Sequence, residues 1–128
     1  MSPTKNFEKT LGELKKYVAM PIETDRDRAG IIQAFEFTFE QTWKAIQKLA
    51  YSMGSEVGSP KTAFSFALQN GWILVKDEEQ WLQMIKDRNM TSHTYQAQIA
   101  KDILERVQAN YIRLFAELLR ILTQIENT

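Results

Sequence analysis

The chain has 128 residues, 44% of them hydrophobic and 25% charged, and its sixteen basic residues balance its sixteen acidic ones. This length predicts one domain over residues 1–128. The absence of cysteine and the single histidine exclude disulfides, cysteine–zinc sites and a multi-histidine metal cage within one chain. The neutral balance excludes the basic excess of a non-specific nucleic-acid binder, so any RNA contact must be local, arise where chains meet, or use a partner's charge.

The first periodic segment spans roughly Thr4 to Ala19. Phe7, Leu11, Leu14 and Val18 recur at helical steps, Thr4 is the expected cap, and Met20-Pro21 ends the segment. A second helix is predicted from about Asp25 to Met53, ~40 Å long at 1.5 Å per residue. Its stripe is Ile32, Phe35, Phe39, Trp43, Ile46 and Met53, and Gly54 is its stop. Ile31 and Phe37 lie off that stripe, which predicts two buried faces or a covering dimer mate. Within this helix, Glu36 and Glu40 are read as structural carboxylates, with Glu40 and Lys44 forming an i,i+4 pair. Metal binding or acid–base chemistry by the two is the alternative.

Ser59-Pro60 reads as a cap followed by proline at the first helical position, opening a short helix that Gly71 terminates. Asp77, Glu78 and Glu79 place negative charge at the start of a fourth helix, whose apolar face is Trp81, Leu82 and Ile85. The last segment, about Gln96 to Glu126, carries Ile99, Ile103, Val107, Leu114, Leu118, Ile121 and Ile125 on one stripe and needs a long partner. Arg106, Arg113 and Arg120 recur every seven residues beside that seam. They are expected to be solvated or paired with acids across a dimer, and an RNA-tracking stripe is the alternative. The expected fold is all-α, an up-and-down antiparallel bundle of about five helices. No apolar run reaches the ~18–20 residues of a membrane span, and the N-terminus lacks a secretory pattern. A cytoplasmic location without membrane contact is therefore expected.

Chemistry concentrates in Arg88-Asn89-Met90-Thr91-Ser92-His93-Thr94-Tyr95, which holds the only histidine. Metal-independent RNA cleavage needs a group that takes the 2′-hydroxyl proton and a cation that offsets charge developing on phosphate. Histidine titrates in the right range, and the planar guanidinium matches phosphate oxygens. The bare pattern equally suits a histidine packed at a helix junction, with Arg88 paired to Asp87 or Glu79.

The stretch Ala34 to Lys44, AFEFTFEQTWK, resembles the second-helix signature of the nucleotidyltransferase substrate-binding protein family, part of the HEPN superfamily. Arg26 to Gln33, Ser59 to Gly71 and Trp81 to Tyr95 resemble it too, so the likeness covers about residues 4 to 125. It implies a homodimeric helical bundle with a minimal nucleotidyltransferase partner. It also implies an R-x4-H ribonuclease site in which Arg88 and His93 face each other across the dimer, with Asn89 as the supporting polar residue. In toxin–antitoxin members the partner adds AMP to the tyrosine of R-x4-H-x-Y, here Tyr95. No cofactor and no metal are expected. Three functions follow as expectations: an RNA-cleaving toxin neutralised at Tyr95, a non-catalytic substrate-binding subunit of the nucleotidyltransferase, or a purely structural partner.

Overall fold

A computed structural model describes residues 2–128. Six α-helices follow in order: α1 (Lys5–Val18), α2 (Asp25–Ser52), α3 (Pro60–Gln69), α4 (Glu78–Met90), α5 (Ala97–Arg106) and α6 (Ile112–Glu126). Short 3-10 turns at Val75–Asp77 and Thr91–His93 precede and follow α4, and a π-helical turn at Val107–Tyr111 joins α5 to α6. The last two helices therefore form one rod, and the architecture is the expected bundle of five rods. No strand occurs among the described residues.

Local chemistry accounts for most boundaries. Thr24 opens α2 with a capping box, its side chain accepting from the Asp27 amide while the Asp27 carboxylate accepts from the Thr24 amide. Ser59 does the same for α3 with Thr62, ahead of Pro60. Gly54 and Gly71 follow the ends of α2 and α3 with φ of 83° and 74°, a left-handed turn that a side chain disfavours.

Thr4 departs from its expected role. It makes no side-chain cap on α1. Instead its hydroxyl donates to Glu126 Oε2 at 2.6 Å and its amide donates to Oε1 at 3.2 Å. Glu126 also accepts from the Ser2 hydroxyl, so this carboxylate clasps the two ends of the chain together. These hydroxyl donors, that of Ser2 first, hold the Glu126 carboxyl below its ordinary pKa.

Helix α2 is the axis of the bundle, packing on α1, α3, α5 and α6. Its buried side chains include Ile31, Ile32, Phe35, Phe39, Ile46 and Leu49. Ile31 is thus covered by the chain itself rather than by a second copy. Phe37 stays 56% exposed, and Met53, expected on the stripe, is exposed because α2 ends at Ser52, past its last buried residues Leu49 and Ala50. Thr38 and Thr42 are buried along the same helix, yet each hydroxyl donates to the carbonyl four residues back. Around α2 an aromatic cluster closes the core: Phe35 stacks on Tyr111 at 5.6 Å and tilts against Phe115 at 6.2 Å, and Phe7 meets Phe115 edge-on at 6.1 Å. These geometries are the favoured ones for aromatic quadrupoles. None of the helices among the described residues is long and apolar enough to cross a membrane.

Candidate functional site at the α4–α5 corner

Helix α4 runs antiparallel to the α5–α6 rod, and the register is set by polar pairs. Arg106 reaches Asp87, while Arg113 reaches Gln80 Oε1 at 2.9 Å and Asp77 Oδ1 at 3.8 Å. The seven-residue spacing of Arg106 and Arg113 matches that of Asp87 and Gln80 on the facing helix. Arg106 and Arg113 are therefore paired within the chain rather than across a dimer, whereas the third member of the stripe, Arg120, is solvated as expected. Asp77 is buried against Arg113 and makes no side-chain cap on α4. Arg120 lies one repeat further on, level with the chain before α4, and stays exposed.

Apolar packing holds α4 thinly. Trp81 and Met84 are buried, but Leu82, expected on the apolar face, is exposed. In the last turn the one buried side chain is Asp87, only 2% exposed. Its Oδ1 accepts from Arg106 Nη2 at 2.8 Å and from Gln83 Nε2 at 3.2 Å; its Oδ2 accepts from Arg106 Nε at 2.6 Å and from the Tyr111 hydroxyl. Four bonds use the acceptor capacity of a carboxylate in full, and the two from Arg106 are the bidentate fork. The hydrogen bonds of Asp87 push the Arg106 pKa above its already high ordinary value. Burial first, and the Asp87 carboxylate second, push the Tyr111 phenol up, so it stays a donor.

Arg88 follows directly, at the C-terminal end of α4 where a cation suits the helix dipole. Neither Asp87 nor Glu79 is its partner. Its Nη1 donates to Thr91 Oγ1 at 3.1 Å and lies 3.6 Å from Glu36 Oε2 on α2. The Thr91 hydroxyl donates in turn to the Arg88 carbonyl at 2.8 Å, and Thr94 Oγ1 donates to the Thr91 carbonyl at 3.0 Å. These bonds stitch the 3-10 turn that carries His93. Glu40, meanwhile, accepts from Trp43 Nε1 at 3.0 Å and pairs with Lys44 at 3.4 Å. The two carboxylates of α2 are thus each engaged by their own cation. The half-exposed Arg88–Glu36 pair contributes at most about 1 kcal/mol, so an incoming anion can displace it.

His93 and Asn89 are exposed, and Tyr95 is 78% exposed. The His93 and Tyr95 rings lie 6.0 Å apart at 55°. Beside Tyr95 a groove of about 340 Å³ opens between the start of α2, with Asp25 and Arg28, and the start of α5, with Ala97 and Ala100. The structure therefore brings Arg88, Asn89, His93 and Tyr95 to one corner. Arg88 and His93 make no hydrogen bond to each other within the chain: the guanidinium leans on α2 and the imidazole faces water. Sequence reading missed the Asp87–Arg106–Tyr111 network. The seven-residue spacing of Arg106 and Arg113, matched by Gln80 and Asp87 on α4, was its one trace, and a shared spacing leaves the register open.

The structure defines an all-helical bundle, and comparison with known proteins places it more narrowly. The family model described as nucleotidyltransferase substrate binding protein like matches residues 3–124. The chain belongs to that family. A crystal structure of a protein from Thermus thermophilus superposes with a TM-score of 0.82 at 34% identity, covering 91% of this chain and 98% of that one. Among curated proteins none matches the chain.

Proposed function

We propose that this chain is a HEPN-type toxin, a metal-independent endoribonuclease acting as a cytoplasmic homodimer and neutralised by a minimal nucleotidyltransferase that adenylylates Tyr95. The observation that carries this reading is the corner itself: one exposed imidazole, one guanidinium held only by a weak ion pair and a hydroxyl, and one exposed phenol. In a dimer that apposes two such corners, His93 takes the proton of an RNA 2′-hydroxyl. The 2′-oxygen then attacks the adjacent phosphorus and the bond to the 5′-oxygen breaks. A protonated imidazole returns a proton to that 5′-oxygen, leaving a 2′,3′-cyclic phosphate and a 5′-hydroxyl. Arg88 exchanges Glu36 for the phosphate and offsets its growing charge, a stronger charge-assisted bond in a site that RNA has partly dried. Two copies of each cation in one cleft supply the positive potential that a net-neutral chain lacks.

Neutralisation follows from the position of Tyr95. Its phenol oxygen attacks the α-phosphorus of ATP held by the partner, pyrophosphate leaves, and the phenolic proton passes to solvent. The product is a bulky anion two residues from His93, which obstructs RNA by repulsion and by volume.

The test is cleavage of RNA by the purified protein, with intact mass showing Tyr95 unmodified. Wild type is expected to release cyclic-phosphate ends without added metal, and His93→Ala to lose that activity by about 10²-fold or more. The family's description favours a second reading, a non-catalytic subunit that presents substrate to the nucleotidyltransferase. Absence of cleavage by unmodified wild type, with anion binding that Arg88→Ala removes, selects it.

A further inference from the structure

The last turn of α4 presents an unusual arrangement: its only buried side chain is a carboxylate, and that carboxylate belongs to the residue immediately before Arg88. An apolar residue there would fill space equally well but would fix no direction. Asp87, by contrast, is tied to three residues at once. Gln83 lies one turn back on α4, Arg106 is the last residue of α5, and Tyr111 is the last residue of the π turn. The π turn matters because its widened backbone lets Tyr111 serve two neighbours, its ring stacked on Phe35 of α2 and its hydroxyl on Asp87. Such turns recur at functional sites. The bonds fix both the rotation of α4 about its axis and its slide along the rod.

Rotation is what Arg88 feels. Its guanidinium stands roughly 8 to 9 Å from the helix axis, the ~2.3 Å Cα radius plus the extended side chain, so a 10° turn of α4 moves it about 1.5 Å. A displacement of about 1 Å costs on the order of 10²-fold in a reaction that depends on placement. Neither restraint on Arg88 itself prevents this. The Glu36 pair is long and half-exposed, and Thr91 belongs to the turn that would move with α4.

We infer that Asp87, clamped by Arg106 and Tyr111, is a positioning residue that aims Arg88 at the scissile phosphate. This rests on the ribonuclease reading above and adds to it three residues that touch no substrate.

The experiment compares wild type, Asp87→Asn, Tyr111→Phe and Arg88→Ala on a short RNA that wild type cleaves, carrying an Rp or Sp phosphorothioate at the scissile link. A directed guanidinium contact makes the two isomers react at different rates, and that ratio does not depend on how many molecules are folded. Wild type is expected to show about a tenfold difference, Arg88→Ala a ratio near one, and Asp87→Asn a ratio close to that of Arg88→Ala with its KM within about twofold of wild type. Tyr111→Phe keeps the ring on Phe35 and removes only the hydroxyl, so it decides the matter if Asp87→Asn fails to fold; its ratio is expected to fall about threefold. A wild-type ratio in folded Asp87→Asn, or in Tyr111→Phe alone when Asp87→Asn does not fold, overturns the positioning role while leaving the ribonuclease standing. Equal rates for the two isomers in wild type overturn the directed contact. A wild type that cleaves no RNA overturns the ribonuclease reading and the inference with it.

Discussion

Phe7, Phe35, Phe39 and Phe115 are almost wholly sealed in the body of the bundle, whereas Asn89, His93 and Tyr95 at the α4–α5 corner lie open to water. The body is held by non-directional apolar burial, in which each aromatic ring has several neighbours and shape is the main requirement. The corner is held by a few directed bonds converging on Asp87, Arg88 and Thr91. The difference separates two kinds of damage. Loss of volume in the body weakens folding and leaves the geometry of the survivors unchanged. Loss of an exposed polar group at the corner is expected to leave folding nearly intact while removing or misplacing a charge.

Substitutions can break this comparison in order of size. Phe35→Ala removes a ring that touches Phe39, Tyr111 and Phe115, and is expected to cost about 3 to 5 kcal/mol by urea denaturation. His93→Ala is expected to stay within about 0.5 kcal/mol of wild type in the same measurement, as an exposed substitution should, despite its large effect on cleavage. A comparable loss of stability in both variants would dissolve the distinction between body and corner.

The smallest effect concerns the clasp between the chain ends. Hydrogen bonds from Ser2 and Thr4 depress the Glu126 pKa below the unfolded value of 4.5. The stability it contributes is therefore present in full above about pH 4.5 and is lost as pH falls through the lower folded value. Glu126→Gln is expected to lower the melting temperature slightly at neutral pH and to flatten this acid limb. Parallel acid limbs in the two proteins would show that the clasp contributes nothing.

The same contrast governs what the sequence made legible. Hydrophobic periodicity located α1, α2 and the long rod, while Gly54 marked the end of α2 and Ser59-Pro60 and Gly71 bounded α3, because those signals are local or depend only on which face is buried. Periodicity could not show that Met53 and Leu82 leave the core, since that depends on where neighbouring helices end. The Arg88-to-Tyr95 stretch was visible as a cluster of chemistry, and the structure gathers it at one corner. The pairing of Arg106 with Asp87 was not visible, because an ion pair between helices depends on register, which single-helix patterns do not encode. The π turn was hidden for a related reason: Tyr111, which ends it, contacts Asp87 and Phe35, and both partners are distant in sequence.

The most direct test of the shared cleft mixes two inactive proteins, Arg88→Ala and His93→Ala, after dissociating and reassociating their subunits. If each site takes its guanidinium from one subunit and its imidazole from the other, a two-fold dimer of one copy of each variant holds one intact site and one doubly defective site. Random reassociation should then restore about a quarter of wild-type RNA cleavage, half of the dimers having one working site of two. Activity that stays at the level of the separate variants, in mixtures shown to contain the mixed dimer, would contradict a site built across two subunits.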